Sequence, residues 1–549
     1  MAMSEQSGRK GKLRFLFIQP DYPKPYVFFF PVYEPLHGLL FGALVKDLAE
    51  TMVFDRRYDT DEELAKLMDS YQPDVVGITT HTAGEIFNVK RLLRIVKQSK
   101  RDAVTIVGGQ HSSLLPEDLF DESVDLICIG PGEDTFREVV ETIADGKRDF
   151  SKVAGLAVRA ENVGGNGLVS ATWDGLRYEF TEPRLPNSSA YFEWPRFDRT
   201  PLQKYSRKYM NYFEMRPTVY TITTSGCPYR CNFCSLWASA RGTYRRRKPE
   251  DVVNDIVSQP QQFVHLTDDN TFHNADHALE IYSRLKAAGV KKKTLAYART
   301  DTIVRRPDVL EKWKEIGLGA LVVGMEAVSD KHLGSINKKT SVDTNMEAQR
   351  ILDRLGIENW AHFVVLPEFE REDFREILAF IEKMRICYPI FVPLTAVPGT
   401  PLFFDLKERQ QISTYDYGYC TLQYMMLKTK MPKREWYDEL LNLYFKTCSM
   451  KTVWGLRSSP QFHWRPMLGR ALIMGRCMKK LNAHIEKQLE HERTFNYDAS
   501  QASLPPSMRR EYKPVNYYNA PTLSAVEETI KKRRDAGVCT TAPVESAAI

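Results

Sequence analysis

Three cysteines in one short loop are the residues of this chain whose types and spacing most clearly suggest chemistry. Cys227, Cys231 and Cys234 stand in the segment TSGCPYRCNFCSLW, with three and then two residues between them. A closed structural zinc site takes four ligands, usually as two separated pairs. A 4Fe-4S cluster normally takes four thiolates, so a cluster on three keeps one iron open to a small molecule. The spacing therefore predicts such a cluster, with zinc or unliganded thiols as alternatives.

Alternating strands and helices follow this loop along the chain. Between Tyr220 and about Phe404, six short apolar runs alternate with amphipathic segments such as ADHALEIYSRLKAAG. The alternation predicts a partial (β/α)6 barrel over residues 216–410, and barrels carry their chemistry at the C-terminal ends of the strands. The cysteine loop directly follows the first strand, TVYTITTS. It therefore lies where a barrel would place a site.

Polar residues also end three later strands of the predicted barrel. Asp268, Asp269 and Asn270 follow FVHL, Arg299 ends TLAYAR, and Glu326 ends ALVVGME. At these positions the side chains would converge on the mouth of the barrel. The alternative for the aspartates is capping of the next helix, and for Arg299 and Glu326 it is a salt bridge inside the barrel.

The N-terminal segment, residues 13–150, has its own alternation of strands and helices. Continuous apolar runs such as DVVGITT and AVTIVGG predict a flavodoxin-like, Rossmann-like α/β domain with a parallel sheet covered on both faces. Ligands of such sheets bind at the carboxyl ends of the strands. Glycines there either admit a large ligand or make tight turns. The candidate ligand residues are Thr79, Gly108, Gly109, Gly130, Gly132 and Glu133.

The rest of the chain divides into three parts. Residues 151–215 are interpreted as a linker, residues 411–490 as a mostly helical C-terminal region, and residues 491–549 as a loosely ordered tail. Between Lys451 and Ile485 there is no acidic residue, while basic and large apolar residues alternate. A stretch of this kind can lie on an anionic membrane, or it can be a helix packed on the barrel with a solvated basic face.

Composition narrows the class of protein. The 549 residues are 43% hydrophobic and 27% charged, with net charge +6 and nine cysteines. The mild charge does not favour nucleic-acid binding. Scattered cysteines fit a reducing compartment, and no signal peptide or apolar run of membrane-spanning length stands in the sequence. We expect a cytoplasmic protein, with a peripheral position on the inner face of the membrane left open.

The Cys-x-x-x-Cys-x-x-Cys loop, with Phe233 before its last cysteine, resembles the radical S-adenosylmethionine (SAM) superfamily. The resemblance implies that the open iron binds the amino and carboxylate groups of SAM. It also implies that an electron, from a donor such as ferredoxin or flavodoxin, cleaves SAM to methionine and a 5'-deoxyadenosyl radical. The residues implied as SAM contacts are Asp268, Asp269, Asn270, Arg299 and Glu326.

A flavodoxin-like domain ahead of such a barrel resembles the cobalamin-binding class of the superfamily. The resemblance implies that cobalamin sits over the barrel mouth, on the strand-end residues Thr79, Gly108, Gly109, Gly130, Gly132 and Glu133. The Asp-x-His-x-x-Gly cobalt-ligand motif is absent after the first strand. Half of it stands as HTAG, His81 to Gly84, after a later strand.

Within this class the chain resembles lipid-modifying members, the hopanoid C-3 methylases among them, over about residues 13–450. The implied function is C-methylation of an unactivated carbon of a hopanoid-like or isoprenoid-like lipid, without a catalytic side chain that the sequence singles out. A radical SAM oxidative cyclase or C–C bond-forming enzyme is the alternative. A methylthiotransferase is disfavoured because no second cysteine trio precedes the barrel, and a metal-stabilised binding protein is the alternative that is not an enzyme.

Overall fold

The chain begins with an α/β domain built on a parallel sheet. The computed structural model describes residues 11–514 apart from 24–26, 28–31, 164–168, 185–190 and 210–216. Its first five strands run parallel, and their spatial order is second, first, third, fourth and fifth along the chain, which is the flavodoxin-like order. In chain order the elements are β1 (Leu13–Gln19), α1 (Leu36–Leu44), β2 (Ala49–Asp55), α2 (Asp61–Tyr71), β3 (Val75–Thr80), α3 (Ile86–Ser99), β4 (Val104–Gly109), α4 (Gln110–Leu114), β5 (Leu126–Cys128) and α5 (Glu133–Ala144).

Both faces of this sheet are buried, as its continuous apolar strands predict. Along β1, Leu16 and Ile18 join one apolar core, and Phe15 and Phe17 join the core on the opposite face. Alternate residues of a strand point to opposite faces, so helices must cover both. The carboxyl ends of the strands are then left as the natural place for a ligand.

Strands also occur in residues 151–215, which the sequence analysis interprets as a linker. β6 (Leu156–Arg159), β7 (Val169–Trp173) and β8 (Leu176–Phe180) extend the sheet beyond β5 by antiparallel pairing. A two-residue strand, β9 (Tyr191–Phe192), follows. These strands have two to five residues, too few for an alternating pattern to stand out in the sequence.

The second α/β unit is a partial barrel of six parallel strands. They lie side by side in the order in which they follow one another along the chain. The predicted first strand is divided into β10 (Thr218–Thr221) and β11 (Thr224–Ser225). β11 pairs with β12 (Arg245–Arg247), which in turn pairs with β9, in a small separate sheet. The elements are β10 (Thr218–Thr221), β11 (Thr224–Ser225), α6 (Leu236–Ser239), β12 (Arg245–Arg247), α7 (Pro249–Val257), β13 (Phe263–Leu266), α8 (Ala275–Ala287), β14 (Lys293–Arg299), α9 (Thr300–Arg305), α10 (Pro307–Glu315), β15 (Leu318–Glu326), α11 (Asp330–Ser335), α12 (Val342–Leu355), β16 (Glu358–Val365), α13 (Arg371–Met384), β17 (Tyr388–Pro393) and α14 (Pro401–Glu408).

The C-terminal region is helical. It consists of α15 (Lys433–Thr447), α16 (Met450–Gly455), α17 (Trp464–Thr494) and α18 (Tyr497–Ser500). Within the described ranges no helix is both long and apolar enough to cross a membrane.

Part of the predicted loose tail, residues 491–549, is folded onto the N-terminal domain. Asp118 accepts hydrogen bonds from the backbone nitrogen of Ser507 at 2.8 Å and from its hydroxyl at 2.5 Å. Arg509 pairs with Asp174 at 2.7 Å. The contacts join residues more than 300 positions apart, so a local pattern cannot reveal them. Residues 515–549 lie outside the described part of the chain.

Candidate active site

The cysteine loop lies at the carboxyl end of the first barrel strand, as predicted. Gly226 precedes Cys227 with φ +83°, and a Cβ there would stand 2.1 Å from the carbonyl oxygen of Thr243. Only glycine fits such a turn. The carbonyl oxygen of Cys231 accepts hydrogen bonds from Trp237 Nε1 at 2.8 Å and from the backbone nitrogen of Cys234 at 3.2 Å. The backbone of the loop is therefore held in place by its own residues.

The three thiols suit a cluster better than a single ion. Among the described residues no three His, Cys, Asp or Glu side chains converge closely enough to hold one metal ion. Burial, together with the nearby Cys231, Asp269 and Cys227, raises the pKa of Cys234 to about 12. Three neighbouring thiolates are therefore unfavourable unless cations compensate their charge. In an iron–sulfur cluster each thiolate binds its own iron, so the sulfurs need not converge on one point.

Arg299 is directed at the cluster loop and is held firmly. Its Nη1 lies 3.8 Å from the Sγ of Cys231, and its guanidinium stacks on the ring of Tyr229 at 3.6 Å from the centroid. Nε donates to Asp301 at 2.9 Å, and Nη2 donates to the carbonyl oxygen of Lys338 at 2.7 Å. The side chain therefore supplies a fixed positive charge beside a thiolate, while its predicted contact with SAM stays a prediction.

Asp268 and Asp269 are adjacent but differ in their surroundings. Asp268 is buried, and its carboxylate accepts from the nitrogen of Thr223 at 2.6 Å, from the hydroxyl of Thr223 at 2.7 Å and from the nitrogen of Thr224 at 2.9 Å. Asp269 is half-buried and accepts from the nitrogen of Gly226 at 3.0 Å. Burial, with Asp268 beside it, raises the pKa of Asp269 to about 7. Asp269 therefore retains free acceptor capacity for a cation.

Asn270 offers a second acceptor at the same strand end. The side chain is buried, and its Nδ2 donates to the hydroxyl of Thr302 at 3.4 Å. Its Oδ1 has no hydrogen-bond partner within the described part of the chain. Leaving a buried carbonyl oxygen unpaired costs about 1–3 kcal/mol, so this oxygen is suited to an N–H or O–H group of a ligand.

Glu326 forms a buried salt bridge, which the sequence analysis gives as the alternative to a ligand contact. Lys338 Nζ lies 2.6 Å from its Oε1, and both side chains are about nine-tenths buried. Glu326 has φ +63°, at an irregularity in the pairing of β15 with β16. Next to this pair, His362 Nε2 lacks a hydrogen-bond partner among the described residues. Lys338 and His362 are not predicted from the sequence, since neither stands in a motif.

The strand ends of the N-terminal domain carry three of the residues predicted to contact cobalamin. They are Thr79 at the end of β3 and Gly108 and Gly109 at the end of β4. The Oγ1 of Thr79 is buried and finds no hydrogen-bond partner in the described residues. A Cβ on Gly108 would meet Cys128 at an ordinary 3.6 Å, so the protein alone does not require glycine there. Gly109 differs, because its φ is +117° and a Cβ would lie 2.3 Å from the oxygen of Thr80. The unpaired hydroxyl and the bare backbone of Gly108 fit a large polar ligand such as cobalamin.

The GPGE segment, residues 130–133, lies at the same edge of the sheet, between β5 and α5. Gly130 has φ +83°, and Gly132 precedes α5, which begins at Glu133. The Oε1 of Glu133 accepts a hydrogen bond from Trp194 Nε1 at 3.0 Å. Gly130 therefore makes a turn that favours glycine, and Glu133 has a partner within the chain. Their predicted contacts with cobalamin stay predictions.

Two histidines face each other at the ends of α1 and β3. The rings of His37 and His81 lie 5.2 Å apart, and Glu85 accepts from the backbone nitrogen of His81 at 2.6 Å. His81 is exposed to solvent, so its ring is accessible to a ligand at this strand end. The sequence analysis noted His81 through HTAG, but His37 stands in no motif.

The two sets of strand ends face one another. Ser235, directly after the last cysteine of the loop, donates to Gln110 Oε1 of α4 at 3.4 Å. A Cβ on Gly130 would lie 3.7 Å from Nη2 of Arg241, which follows α6. Ser235 thus joins the cysteine loop to α4, which directly follows Gly109, so ligands bound at the two sets of strand ends would lie close to each other.

Comparison with family models assigns both units. Residues 42–140 match the B12 binding domain and residues 221–381 match the radical SAM superfamily. The chain is therefore an enzyme that combines a B12-binding domain with a radical SAM domain. These matches confirm the predicted class and fold, and they agree with the predicted cofactors: a 4Fe-4S cluster, SAM and cobalamin.

Characterised relatives fall into more than one reaction type. The chain is 27% identical over 392 residues to hopanoid C-3 methylase of Methylococcus capsulatus, and the aligned region covers 71% of each chain. It is 25% identical over 457 residues to the anaerobic magnesium-protoporphyrin IX monomethyl ester cyclase of Rubrivivax gelatinosus, covering 79% of this chain and 77% of the cyclase.

Solved structures of two enzymes share the fold. The radical SAM methyltransferase TsrM of Kitasatospora setae, bound to cobalamin and a [4Fe-4S] cluster, aligns with a TM-score of 0.63 at 17% identity, over 85% of this chain and all of TsrM. The cobalamin-dependent radical enzyme OxsB, bound to aqua-cobalamin and SAM, also gives 0.63, at 16% identity over 97% of this chain and 82% of OxsB.

Proposed function

We propose that this protein is a cobalamin-dependent radical SAM C-methyltransferase that replaces a C–H bond of a lipid, hopanoid-like or isoprenoid-like, with a C–CH3 bond. The observation that carries the proposal is the contact between the two units, in which Ser235, next to the last cysteine of the loop, donates a hydrogen bond to Gln110 of α4 in the B12-binding domain. When bound, the cluster, SAM and cobalamin together supply a methyl group and the means to take a hydrogen atom from an unactivated carbon. The similarity to hopanoid C-3 methylase supports the lipid class.

The residues of the chain would have distinct tasks in this reaction. Cys227, Cys231 and Cys234 would hold the cluster, and Arg299, whose Nη1 lies 3.8 Å from the Sγ of Cys231, would offset its negative charge. Asp269 retains acceptor capacity beside Gly226, which suits the ammonium group of SAM.

Further contacts would bind the polar groups of the two cofactors. Asn270 Oδ1, unpaired within the described residues, suits a hydroxyl or amino group of SAM, and Glu326 lies at a neighbouring strand end. Thr79 and Gly108 would contact cobalamin, with Gly109, Gly130, Gly132 and Glu133 shaping the loops around it. The peptide and hydroxyl groups in these loops would orient the cofactor over the barrel mouth.

The reaction needs electrons and a reducing environment. A small one-electron donor protein, such as a ferredoxin or a flavodoxin, would supply them. All eight cysteines of the described residues are free, which supports a reducing compartment such as the cytoplasm.

An oxidative cyclase is the second candidate, because similarity to the magnesium-protoporphyrin cyclase extends over 79% of this chain. Such an enzyme would use the radical chemistry without transferring a methyl group. The two candidates therefore differ in which products of SAM accumulate.

The test is an anaerobic assay of protein reconstituted with iron, sulfide and hydroxocobalamin, given SAM, a reductant and a hopanoid in detergent. A methyltransferase yields S-adenosylhomocysteine and 5'-deoxyadenosine, one of each per methylated lipid, and SAM with a deuterated methyl group passes that label to the lipid. A cyclase yields 5'-deoxyadenosine alone. Absence of S-adenosylhomocysteine with every lipid tried would overturn the methylase proposal, and the triple Cys→Ala variant controls for background.

A further inference from the structure

An exposed surface of large apolar and basic side chains lies on the C-terminal helices. We call it the basic aromatic face, and its position relative to the barrel is fixed by what packs beneath it. The buried residues Val453, Leu456 and Met467 belong to one apolar cluster with Leu295 and Trp360, which lie near the first residues of β14 and β16. The face therefore covers the N-terminal end of the barrel, opposite the cysteine loop. It is formed by Phe445, Met450, Lys451, Trp454, Arg457, Trp464, Arg465, Leu468, Leu472, Arg476, Lys479 and Lys480.

The apolar members of this face are unusually exposed. Leu472 is 70% exposed, Trp454 60% and Trp464 49%. The rings of Trp454 and Trp464 lie 6.1 Å apart, so the aromatic side chains form one patch. Single exposed apolar residues are ordinary, but a contiguous patch marks an interaction surface.

The helix period places basic residues on the same side of α17. Trp464, Leu468 and Leu472 recur every four residues, and Arg465 and Arg476 lie on the adjoining strip of the helix. The opposite side is buried through Met467, Cys477 and Leu481. Within the described residues no ion pair is formed by Lys451, Arg465, Arg476, Lys479 or Lys480.

The charge of the face is uncompensated, since residues 451–485 contain no Asp or Glu. Elsewhere on the same helices basic residues are paired, as Arg434 is with Glu486 and Arg493 with Glu490. Free cations beside exposed Trp and Leu are the composition of helices that lie in the interface of an anionic bilayer.

We propose that the basic aromatic face docks the enzyme on an anionic lipid membrane surface, with Trp454, Trp464 and Leu472 in the headgroup region and the basic side chains on lipid phosphates. The docking does not depend on the reaction. Its connection to a lipid substrate rests on the proposed function.

Other occupants fit the face less well. A second copy bound about a two-fold axis would bring the same basic residues together. The segment 515–549 has four acidic and four basic residues, so it offers no net complementary charge. An acidic electron-donor protein would sit at the end of the barrel opposite the cysteines, away from the cluster that it must reduce.

The experiment is co-sedimentation of the full-length chain with phosphatidylcholine vesicles, with and without phosphatidylglycerol. We expect binding to the anionic vesicles only, weakened by salt. Leu472→Asp should reduce the affinity about tenfold or more because it places a charge in the apolar patch. The double variant R465E/R476E should reduce it by a similar factor. Val257→Asp is the matched control, since Val257 is an exposed apolar residue of α7 that lies outside the face.

Three results would overturn the proposal. They are no binding to anionic vesicles, equal binding by wild type and Leu472→Asp, or a dimer in light scattering that Leu472→Asp converts to a monomer. The last would assign the face to a second copy. Vesicle binding is measured without turnover, so a failed methylation assay leaves this test intact, and a failed docking leaves the methylation assay intact.

Discussion

The carboxylate of Asp268 binds both the backbone nitrogen and the hydroxyl of Thr223, at 2.6 and 2.7 Å. This contact joins the end of β13 to the residues between β10 and the cysteine loop. Asp269, the next residue, accepts a hydrogen bond from the nitrogen of Gly226 with one oxygen and is only half-buried. The two adjacent aspartates therefore have different roles. Asp268 positions the cysteine loop, and Asp269 is available to a ligand.

This division predicts different defects for two substitutions. Asp268→Ala would leave two buried backbone N–H groups and a hydroxyl unpaired, a cost of about 3–5 kcal/mol. We expect it to lower the iron and sulfide content of the reconstituted protein. Asp269→Asn keeps an acceptor for Gly226, so the cluster content should stay normal while SAM affinity falls about tenfold or more. Iron analysis and SAM titration measure the two effects, and equal cluster loss in both variants would contradict the division.

Two adjacent glycines of the N-terminal domain, Gly108 and Gly109, are predicted to differ in what their replacement by alanine changes. Gly108→Ala should leave stability unchanged, since the added methyl group meets only an ordinary contact at 3.6 Å, but it should weaken cobalamin binding if the corrinoid approaches that backbone. Gly109→Ala should instead destabilise the domain, because its methyl group would lie 2.3 Å from a backbone oxygen. Hydroxocobalamin titration followed by absorbance, together with thermal unfolding, separates the two. Unchanged cobalamin affinity in Gly108→Ala would contradict the proposal that Gly108 contacts cobalamin.

The buried Glu326–Lys338 salt bridge predicts that the stability of the fold depends on whether both partners are present. Lys338→Met would leave a buried carboxylate without its cation, and breaking a buried pair in this way costs about 3–5 kcal/mol. The double variant Lys338→Met/Glu326→Gln should recover most of that loss, because no charge is then left unpaired. Urea unfolding of the single and double variants provides the measurement. If the double variant is no more stable than Lys338→Met, the pair is not the source of the effect.

Glu85 predicts a pH dependence of stability. Burial raises its pKa from 4.5 to about 7, so the unfolded state loses the proton first as pH rises. Stability from this group is therefore present below pH 4.5 and lost between pH 4.5 and 7, by about 3 kcal/mol at most. Glu85→Gln should raise the apparent unfolding temperature at pH 8 but not at pH 4.5. Glu376→Gln, at an exposed position of α13, should have no such effect, and a similar gain from both variants would exclude Glu85 as the cause.

The sequence predicts the elements of this protein better than their long-range contacts. The barrel strands and the cysteine loop are visible because their apolar periodicity and spacing are local. The pairing of Lys338 with Glu326 is not visible, since the lysine stands in a polar stretch without a pattern. The docking of Ser507 on Asp118 joins residues 389 positions apart, so the tail could not be assigned to the fold from the sequence.

The candidate site is predicted to a similar extent. The residue types at strand ends identify which edge of each sheet carries the chemistry, because parallel strands align their carboxyl ends. The residue types do not distinguish the role of Asp268 from that of Asp269. The two differ because Thr223 and Thr224 donate hydrogen bonds to Asp268, and this is visible only in the fold.

The central claim is that Cys227, Cys231 and Cys234 hold a 4Fe-4S cluster with one iron left open for SAM. Electron paramagnetic resonance of the reduced, anaerobically reconstituted protein, recorded with and without SAM, tests it most directly. We expect the signal of a reduced 4Fe-4S cluster that changes when SAM is added, and no such signal in the triple Cys→Ala variant. A cluster spectrum that SAM leaves unchanged, or protein that takes up zinc and no iron, would contradict the account.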